Sequence, residues 1–321
     1  MSFLARLAER SAVPRLIGFP EASEERTRAA IARLAAGPGP VPVAVTDGDA
    51  RPPSGVRQLD LADDELRAQV LPFCPDLGAP GSGDTLRLAV AAVASGVLDG
   101  AVAGALATTA DVLRAGLRIL GCASGTDTVS GAFYLIVPAG EDGPERVLTF
   151  TDAAVVPRPD ARQLAEIAAA ACSARRSIVA DEPRVAFLSY ATRGSAEGED
   201  IERLREALHL FRRRCPGVPA DGELQADAAL APDVAARKAP DSDLAGDANI
   251  LVFPDLASGN IAYKLVNRLA AAPAIGPILQ GISRPLNDLS RGASIEDIVN
   301  VARVTALQAT GSTSGQLSEN V

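Results

Sequence analysis

Gly276-Pro277-Ile278-Leu279-Gln280-Gly281 leads through Ile282 to Leu286 into Asn287-Asp288-Leu289-Ser290-Arg291-Gly292 and then Ala293-Ser294-Ile295-Glu296-Asp297-Ile298. The stretch reads as two turn-rich segments around a short polar cluster, with a helix behind them. Ser294 is a good N-cap residue, and Asp297 three positions later completes an acidic capping box. Ile298, Val301, Ala302 and Thr305 then share one helical face. Just before the cap stand a hydroxyl, Ser290, and a permanent cation, Arg291. A hydroxyl, a guanidinium and a carboxylate near one helix N-terminus suit an anionic transition state. The plainer reading is a loop tied to a well-capped helix.

The chain has 321 residues, more than one core usually serves, so two domains are expected. Hydrophobic residues make up 47% but aromatics only 3%, with no Trp, so the core must be Ala, Val, Leu and Ile. That composition fits helices on a parallel sheet. A formal net charge of −9 argues against nucleic acid as the main partner, while leaving room for a local basic pocket. Lys238 and Lys264 are the only lysines. Cys74, Cys122, Cys172 and Cys215 lack the close spacing of a zinc or thiol-redox site and read as reduced and cytosolic. His209, the single histidine, rules out a multi-histidine metal site. No signal-like apolar run and no membrane span are expected.

Along the chain, Ser2 to Arg10 reads as a helix, Arg15 to Pro20 as a strand, Glu21 to Leu34 as a helix and Pro42 to Val45 as a strand, the opening of a parallel α/β domain. Asp63 to Val70 reads as a helix and Pro72 to Asp84 as a loop. Thr85 to Ser95 is a helix, and Leu98 to Gly104 is a strand running into a glycine turn. Thr108 or Thr109 caps the next helix, whose open N–H groups suit a phosphate. Thr128 to Pro138 and Arg146 to Thr149 are strands, followed by helix Arg162 to Arg175, strand Arg184 to Tyr190 and helix Ile201 to Arg213. Asp221 and Glu223 are paired carboxylates, read as structural. Asn249 to Phe253 is a buried strand, and Lys264 and Arg268 share a face of the helix after it. The tail Thr310 to Val321 lacks a core-facing pattern and reads as mobile.

Several long strings carry a resemblance. Asn249-Ile250-Leu251-Val252-Phe253-Pro254-Asp255-Leu256, Ser258-Gly259-Asn260-Ile261-Ala262-Tyr263-Lys264, Asp221-Gly222-Glu223-Leu224-Gln225 and Asp227-Ala228-Ala229, with the stretch quoted first, resemble the phosphate acyltransferases. The likeness covers most of residues 150–310 and thins over the first third. It implies an α/β fold of two α/β/α domains with an interdomain cleft, similar to isocitrate and isopropylmalate dehydrogenases. The first domain would be 1–143 plus 281–321, and the second 144–280. It implies a homodimeric phosphate acetyltransferase that moves acetyl between acetyl phosphate and coenzyme A. Coenzyme A is a substrate, and no cofactor or metal is bound tightly. A phosphate butyryltransferase and a coenzyme A-binding regulatory homologue are the alternatives.

The resemblance also implies roles. Asp297 would take the thiol proton, Ser290 would hydrogen-bond the sulfur or oxyanion, and Arg291 would stabilise negative charge. Arg114 would hold the phosphate with the helix start at Thr109. Tyr263, Lys264 and Arg268 would lie near coenzyme A, with Arg268 on its 3′-phosphate. One departure stands out. Family members carry a basic segment before the Thr85 helix, yet this chain has no Lys or Arg between Arg67 and Arg87.

Overall fold

The computed structural model describes residues 1–48, 51–138 and 144–315, with side chains to residue 310. The chain forms two compact units, residues 1–124 with 276–321, and residues 125–275. In chain order, the first part of unit 1 is α1 (Phe3–Arg10), β1 (Leu16–Phe19), α2 (Glu25–Ala35), β2 (Val41–Thr46), β3 (Arg57–Asp60), α3 (Asp64–Val70), α4 (Thr85–Ser95), β4 (Gly100–Ala103) and α5 (Thr109–Ile119). Unit 2 holds β5 (Ser130–Val137), β6 (Arg146–Thr151), α6 (Ala161–Ile178), β7 (Val185–Leu188), α7 (Glu199–Arg214), β8 (Ala220–Leu224), α8 (Ala226–Leu230), α9 (Pro232–Lys238), β9 (Ile250–Val252) and α10 (Leu256–Leu269). The chain leaves along β10 (Ala274–Gln280) and finishes unit 1 with β11 (Leu286–Asp288) and α11 (Ile295–Gly315).

Unit 1 is built on an all-parallel sheet of order β11-β4-β1-β2-β3. Its central strands are buried along their length, as Ala101, Val102 and Ala103 illustrate, the pattern of strands covered on both faces. Helices α1, α2 and α11 pack with one another, and α3, α4 and α5 form a second group. Because all five strands run the same way, their C-terminal ends gather at one edge. In open parallel sheets that edge is where ligands bind.

The sheet of unit 2 runs β10-β5-β6-β9-β7-β8, with β5 and β6 antiparallel and β6-β9-β7-β8 parallel. A buried arginine stitches it. From α6, Arg175 donates to the Thr149 hydroxyl at 3.0 Å and to the carbonyls of Asn249 and Val147 at 2.9 Å each. It also meets Asp181 at 2.7 and 2.6 Å. Asp221 and Glu223 are structural here, paired with Arg193 at 2.7 Å and Arg205 at 2.9 Å. His209 is exposed on α7. The four cysteines form no disulfide.

Several elements differ from the sequence expectation. The first crossing between units falls after Ser124, not near 143, which itself lies outside the described residues, and β5 belongs with unit 2 because it pairs with β6. The return crossing falls before Gly276. Helix α2 starts at Glu25 rather than Glu21, since the Glu21 carboxylate is drawn to backbone N–H groups elsewhere. The stretch read as turns holds two strands, β10 and β11. Strand β3 and helices α8 and α9 are additions. Helix α11 continues to Gly315, into the segment expected to be mobile, and residues 316–321 lie outside the described ones.

Removing Arg175 takes a donor from the Val147 carbonyl and from the buried Thr149 hydroxyl, and leaves the Asn249 carbonyl with the Thr149 N–H. Arg175→Ala is therefore expected to destabilise the protein by about 3–5 kcal/mol, measured by urea unfolding. A loss below about 1 kcal/mol would show that water replaces the guanidinium at no great cost.

Candidate active site

Three neighbouring strands of unit 1, β11, β4 and β1, end side by side, and each end carries a polar group. Beyond β1, Glu21 is buried and accepts the N–H groups of Ala105 at 2.7 Å, Leu106 at 3.0 Å and Ala107 at 2.6 Å. One carboxylate thus fixes the loop between β4 and α5. Thr108 then caps α5, accepting the Asp111 N–H at 3.2 Å and donating to the Asp111 carboxylate at 2.7 Å. The N–H groups of Thr108, Thr109 and Ala110 have no acceptor among the described residues. Such open donors, at the positive end of a helix, form an anion seat.

At the end of β11, Asp288 is fully buried and its Oδ2 accepts the Thr109 hydroxyl at 2.6 Å. Its Oδ1 is buried with no hydrogen-bond partner. Burial lifts its carboxyl from the ordinary 3.8 to about 6. The Thr109 hydroxyl and the Leu289 N–H, the latter poorly aimed for a true bond, pull it down, and the Glu21 charge pushes it up. Gly104, at φ +103, makes room: a Cβ there would stand 2.2 Å from Asp288 Oδ1. Asn287 beside it is anchored by Thr305 at 2.8 Å, Gln308 at 2.7 Å and the Leu279 N–H at 2.8 Å.

Two residues on, Ser290 and Arg291 are exposed. Arg26 of α2 holds their loop through the carbonyls of Arg291 at 2.8 Å and Ala293 at 2.9 Å. The Arg291 guanidinium has no carboxylate partner among the described residues. Ser294 and Asp297 form the expected capping box. Asp297 Oδ2 accepts the Ser294 N–H and hydroxyl at 2.8 Å each, and Ser294 Oγ accepts the Asp297 N–H at 3.2 Å. Asp297 is half-buried, and its Oδ1 carries no hydrogen bond among the described residues. Arg114, 70% exposed, is paired with Asp111 at 2.6 Å.

The coenzyme A candidates lie on α10 of unit 2. Gly259 lets this helix sit against the loop after β6, where a Cβ would come 2.5 Å from the Asp152 carbonyl. The Tyr263 ring is stacked on Phe133 at 3.8 Å, so one face is committed to the core, and Lys264 Nζ lies 5.1 Å above its centroid. Lys264 and Arg268 are exposed with no carboxylate partner among the described residues. Ile261 and Leu265 beside them are 59% and 53% exposed.

Residues 80–306 match the family described as phosphate acetyl/butaryl transferase. The chain belongs to this family. A phosphate acetyltransferase of Paracoccus denitrificans is 52% identical over 226 residues, 70% of this chain and 71% of that one. The EutD phosphotransacetylase from Staphylococcus aureus superposes with a TM-score of 0.84 at 34% identity, over 96% of this chain and 98% of that one. A 4-hydroxythreonine-4-phosphate dehydrogenase from Klebsiella pneumoniae, at TM-score 0.52 and 14% identity, shares the fold, over 92% of this chain and 99% of that one. The α/β class and the likeness to a dehydrogenase fold are thereby established, and the chain is an acyltransferase.

The segment before α4 has no Lys or Arg between Arg67 and Arg87. Arg87 itself is bound to Asp76 and, at 3.1 Å, to Asp84, with Cys74 Sγ also 3.1 Å away. Arg118 pairs with Asp76 at 2.6 Å. The loop is knitted by carboxylates instead: Asp47 accepts the N–H groups of Gly81 at 2.7 Å and Gly83 at 2.5 Å, and Asp84 accepts that of Gly78 at 2.9 Å. Sequence reasoning also missed Glu21, Arg26 and Asp288 as parts of the site. Asp288 stood in the quoted polar cluster and Glu21 beside Pro20, but Arg26 is one of several helix arginines and gave no signal.

The raised Asp288 carboxyl has a signed consequence. Its contribution to stability is fully present below the ordinary 3.8 and is lost as pH rises through about 6. Asp288→Asn lacks that slope. The variant should therefore gain on the parent by on the order of 3 kcal/mol between about pH 4 and pH 7, read from urea midpoints across the range. A constant difference at all pH values would mean that Asp288 titrates normally.

Proposed function

We propose that this protein is a phosphate acetyltransferase, exchanging acetyl between acetyl phosphate and coenzyme A by direct attack of the thiolate on the acyl carbonyl. The observation that carries the reading is Asp297: its Oδ2 is spent on the cap of α11 while Oδ1 is left open to take a proton. A thiol is mostly protonated near neutral pH, so a base that removes its proton raises the nucleophile's concentration. The carbon–sulfur bond forms as the carbon–oxygen bond to phosphate breaks, and the proton passes to Asp297. Ser290 donates to the sulfur or the developing oxyanion, and Arg291 faces the growing negative charge. No acyl-enzyme is needed.

The phosphoryl group is received by the open N–H groups at the start of α5, by Thr109 and by Arg114. Coenzyme A is received on α10. Lys264 and Arg268 answer its phosphates, and the exposed Ile261 and Leu265 give its adenine an apolar surface. Tyr263 supports Lys264 through its ring face. A homodimer and a cytoplasmic setting belong to the same proposal. Four unbridged cysteines agree with a reducing compartment, and sedimentation of the purified chain as a monomer would remove the dimer.

Thiol release from acetyl-coenzyme A in phosphate buffer, with arsenate as a second acceptor, tests the activity. Asp297→Asn should lose about 10²- to 10⁴-fold in kcat with its fold intact, since an amide oxygen still accepts the Ser294 bonds. Unchanged turnover per folded molecule would reduce Asp297 to a cap. Arg268→Ala should raise KM for coenzyme A by about ten- to a hundredfold and leave dephospho-coenzyme A almost unaffected. Equal penalties on both would exclude the 3′-phosphate contact. With Arg87 committed to aspartates, one cation of the usual phosphate pair is missing. KM for phosphate should therefore be about ten- to a hundredfold above that of a relative carrying the basic segment. Tight phosphate binding that survives Arg114→Ala would contradict this.

A further inference from the structure

The first helical residue of α5, Thr109, has one hydroxyl proton, and in this structure it points to Asp288 Oδ2 at 2.6 Å. A hydroxyl that donates inward offers only lone pairs outward. Phosphoryl oxygens are acceptors and need donors. The seat thus presents the free N–H groups of Thr108, Thr109 and Ala110 beside a hydroxyl turned the wrong way. Asp288 can reverse it. Once protonated, the carboxyl donates to Thr109 Oγ1 along the same line, and the threonine proton is released to turn outward.

We propose that Asp288 is a positioning residue of the transfer reaction, whose protonation sets the Thr109 hydroxyl as a donor to the phosphoryl group. One proton is taken from water per anion bound, and no covalent bond changes. The proposal rests on the reading of the α5 start as the phosphate seat. Three features of the carboxyl support it. It is fully buried, its Oδ1 has no partner to hold the charge, and only a glycine at 104 leaves it room. Its titration near neutral acidity agrees with that placement.

The charges around Asp288 are few. From the loop after β1, Glu21 faces it and opposes its ionisation. Strand β4 and Gly104 bring no titratable group. Helix α5 brings Asp111 and Arg114, exposed and paired with each other. Helix α11 brings Glu296, paired with Arg33 at 2.5 Å, Asp297 in its cap, and Arg303. No cation among the described residues is paired with Asp288, and only the Thr109 hydroxyl and the Leu289 N–H favour its charged form.

Sulfate is the probe, because its charge stays constant where phosphate itself titrates. Its binding is measured by calorimetry from about pH 5 to pH 8 on the intact protein. Parent affinity should fall at least about tenfold across the upper half of that range. Asp288→Asn, whose amide always donates to Thr109, should bind at the parent's low-pH affinity at every pH. Its KM for phosphate at the alkaline end should drop below the parent's. Thr109→Val should bind weakly with no slope, and Thr109→Ser should restore the slope. A slope that persists in Asp288→Asn or in Thr109→Val overturns this proposal alone. Absence of sulfate binding in every form overturns it together with the phosphate seat.

Discussion

The carboxylate of Glu21, taking three consecutive backbone N–H groups of the β4–α5 loop, is the contact on which the rest of the unit 1 site depends. It spends the donors of Ala105, Leu106 and Ala107 and leaves those of Thr108, Thr109 and Ala110 open. Where the loop ends and the anion seat begins is set by that division. It also brings a negative charge close to Asp288, which opposes ionisation of that second carboxyl. Without a parallel sheet the arrangement would not exist. Only because β1, β4 and β11 end at one edge can groups from residues 21, 104–110 and 288 meet.

Two helices of the site open in the same way. Thr108 and Asp111 begin α5, and Ser294 and Asp297 begin α11, each a hydroxyl cap with an aspartate three residues on. The difference lies in what the aspartate does next. Asp111 turns to Arg114, and the Thr108 hydroxyl and that arginine lower its pKa from the ordinary carboxylate value. Asp297 meets no cation among the described residues and keeps one oxygen open. The same local motif thus yields a surface ion pair at one helix and, at the other, a carboxylate with one oxygen free of hydrogen bonds among the described residues.

How far the sequence revealed this depended on the range of each interaction. The helices α1, α4 and α5 and the α11 capping box were legible, because caps and apolar periodicity act over three or four residues. Strand β11 was not. Asn287 and Asp288 look like turn residues, and only distant partners such as Thr305, Gln308 and Thr109 make them tolerable inside a sheet. The start of α2 was misplaced for a related reason: Glu21 looks like a first-turn acid until the loop about 85 residues on claims it. Of the candidate residues, Ser290, Arg291, Asp297, Thr109 and Arg114 could be named from the strings alone, while the carboxyls that hold their surroundings could not.

Cations are unevenly committed across the molecule. Arg87, Arg114 and Arg118 are all engaged by aspartates, and exposed pairs of this kind are weak enough for a dianion to compete with them. Arg291, Lys264 and Arg268 have no such partner among the described residues. On the proposed reading, a phosphoryl group would draw Arg114 from Asp111, whereas coenzyme A would meet cations that have no carboxylate partner among the described residues. The connection between α3 and α4 carries no Lys or Arg. Its order comes from Asp47 and Asp84 accepting backbone N–H groups. Those carboxylates need no bound anion to keep their shape. They also add negative charge to the α3–α4 connection, so on the proposed reading the electrostatic burden of holding phosphate falls on the α5 N–H groups, Thr109, Arg114 and Arg291.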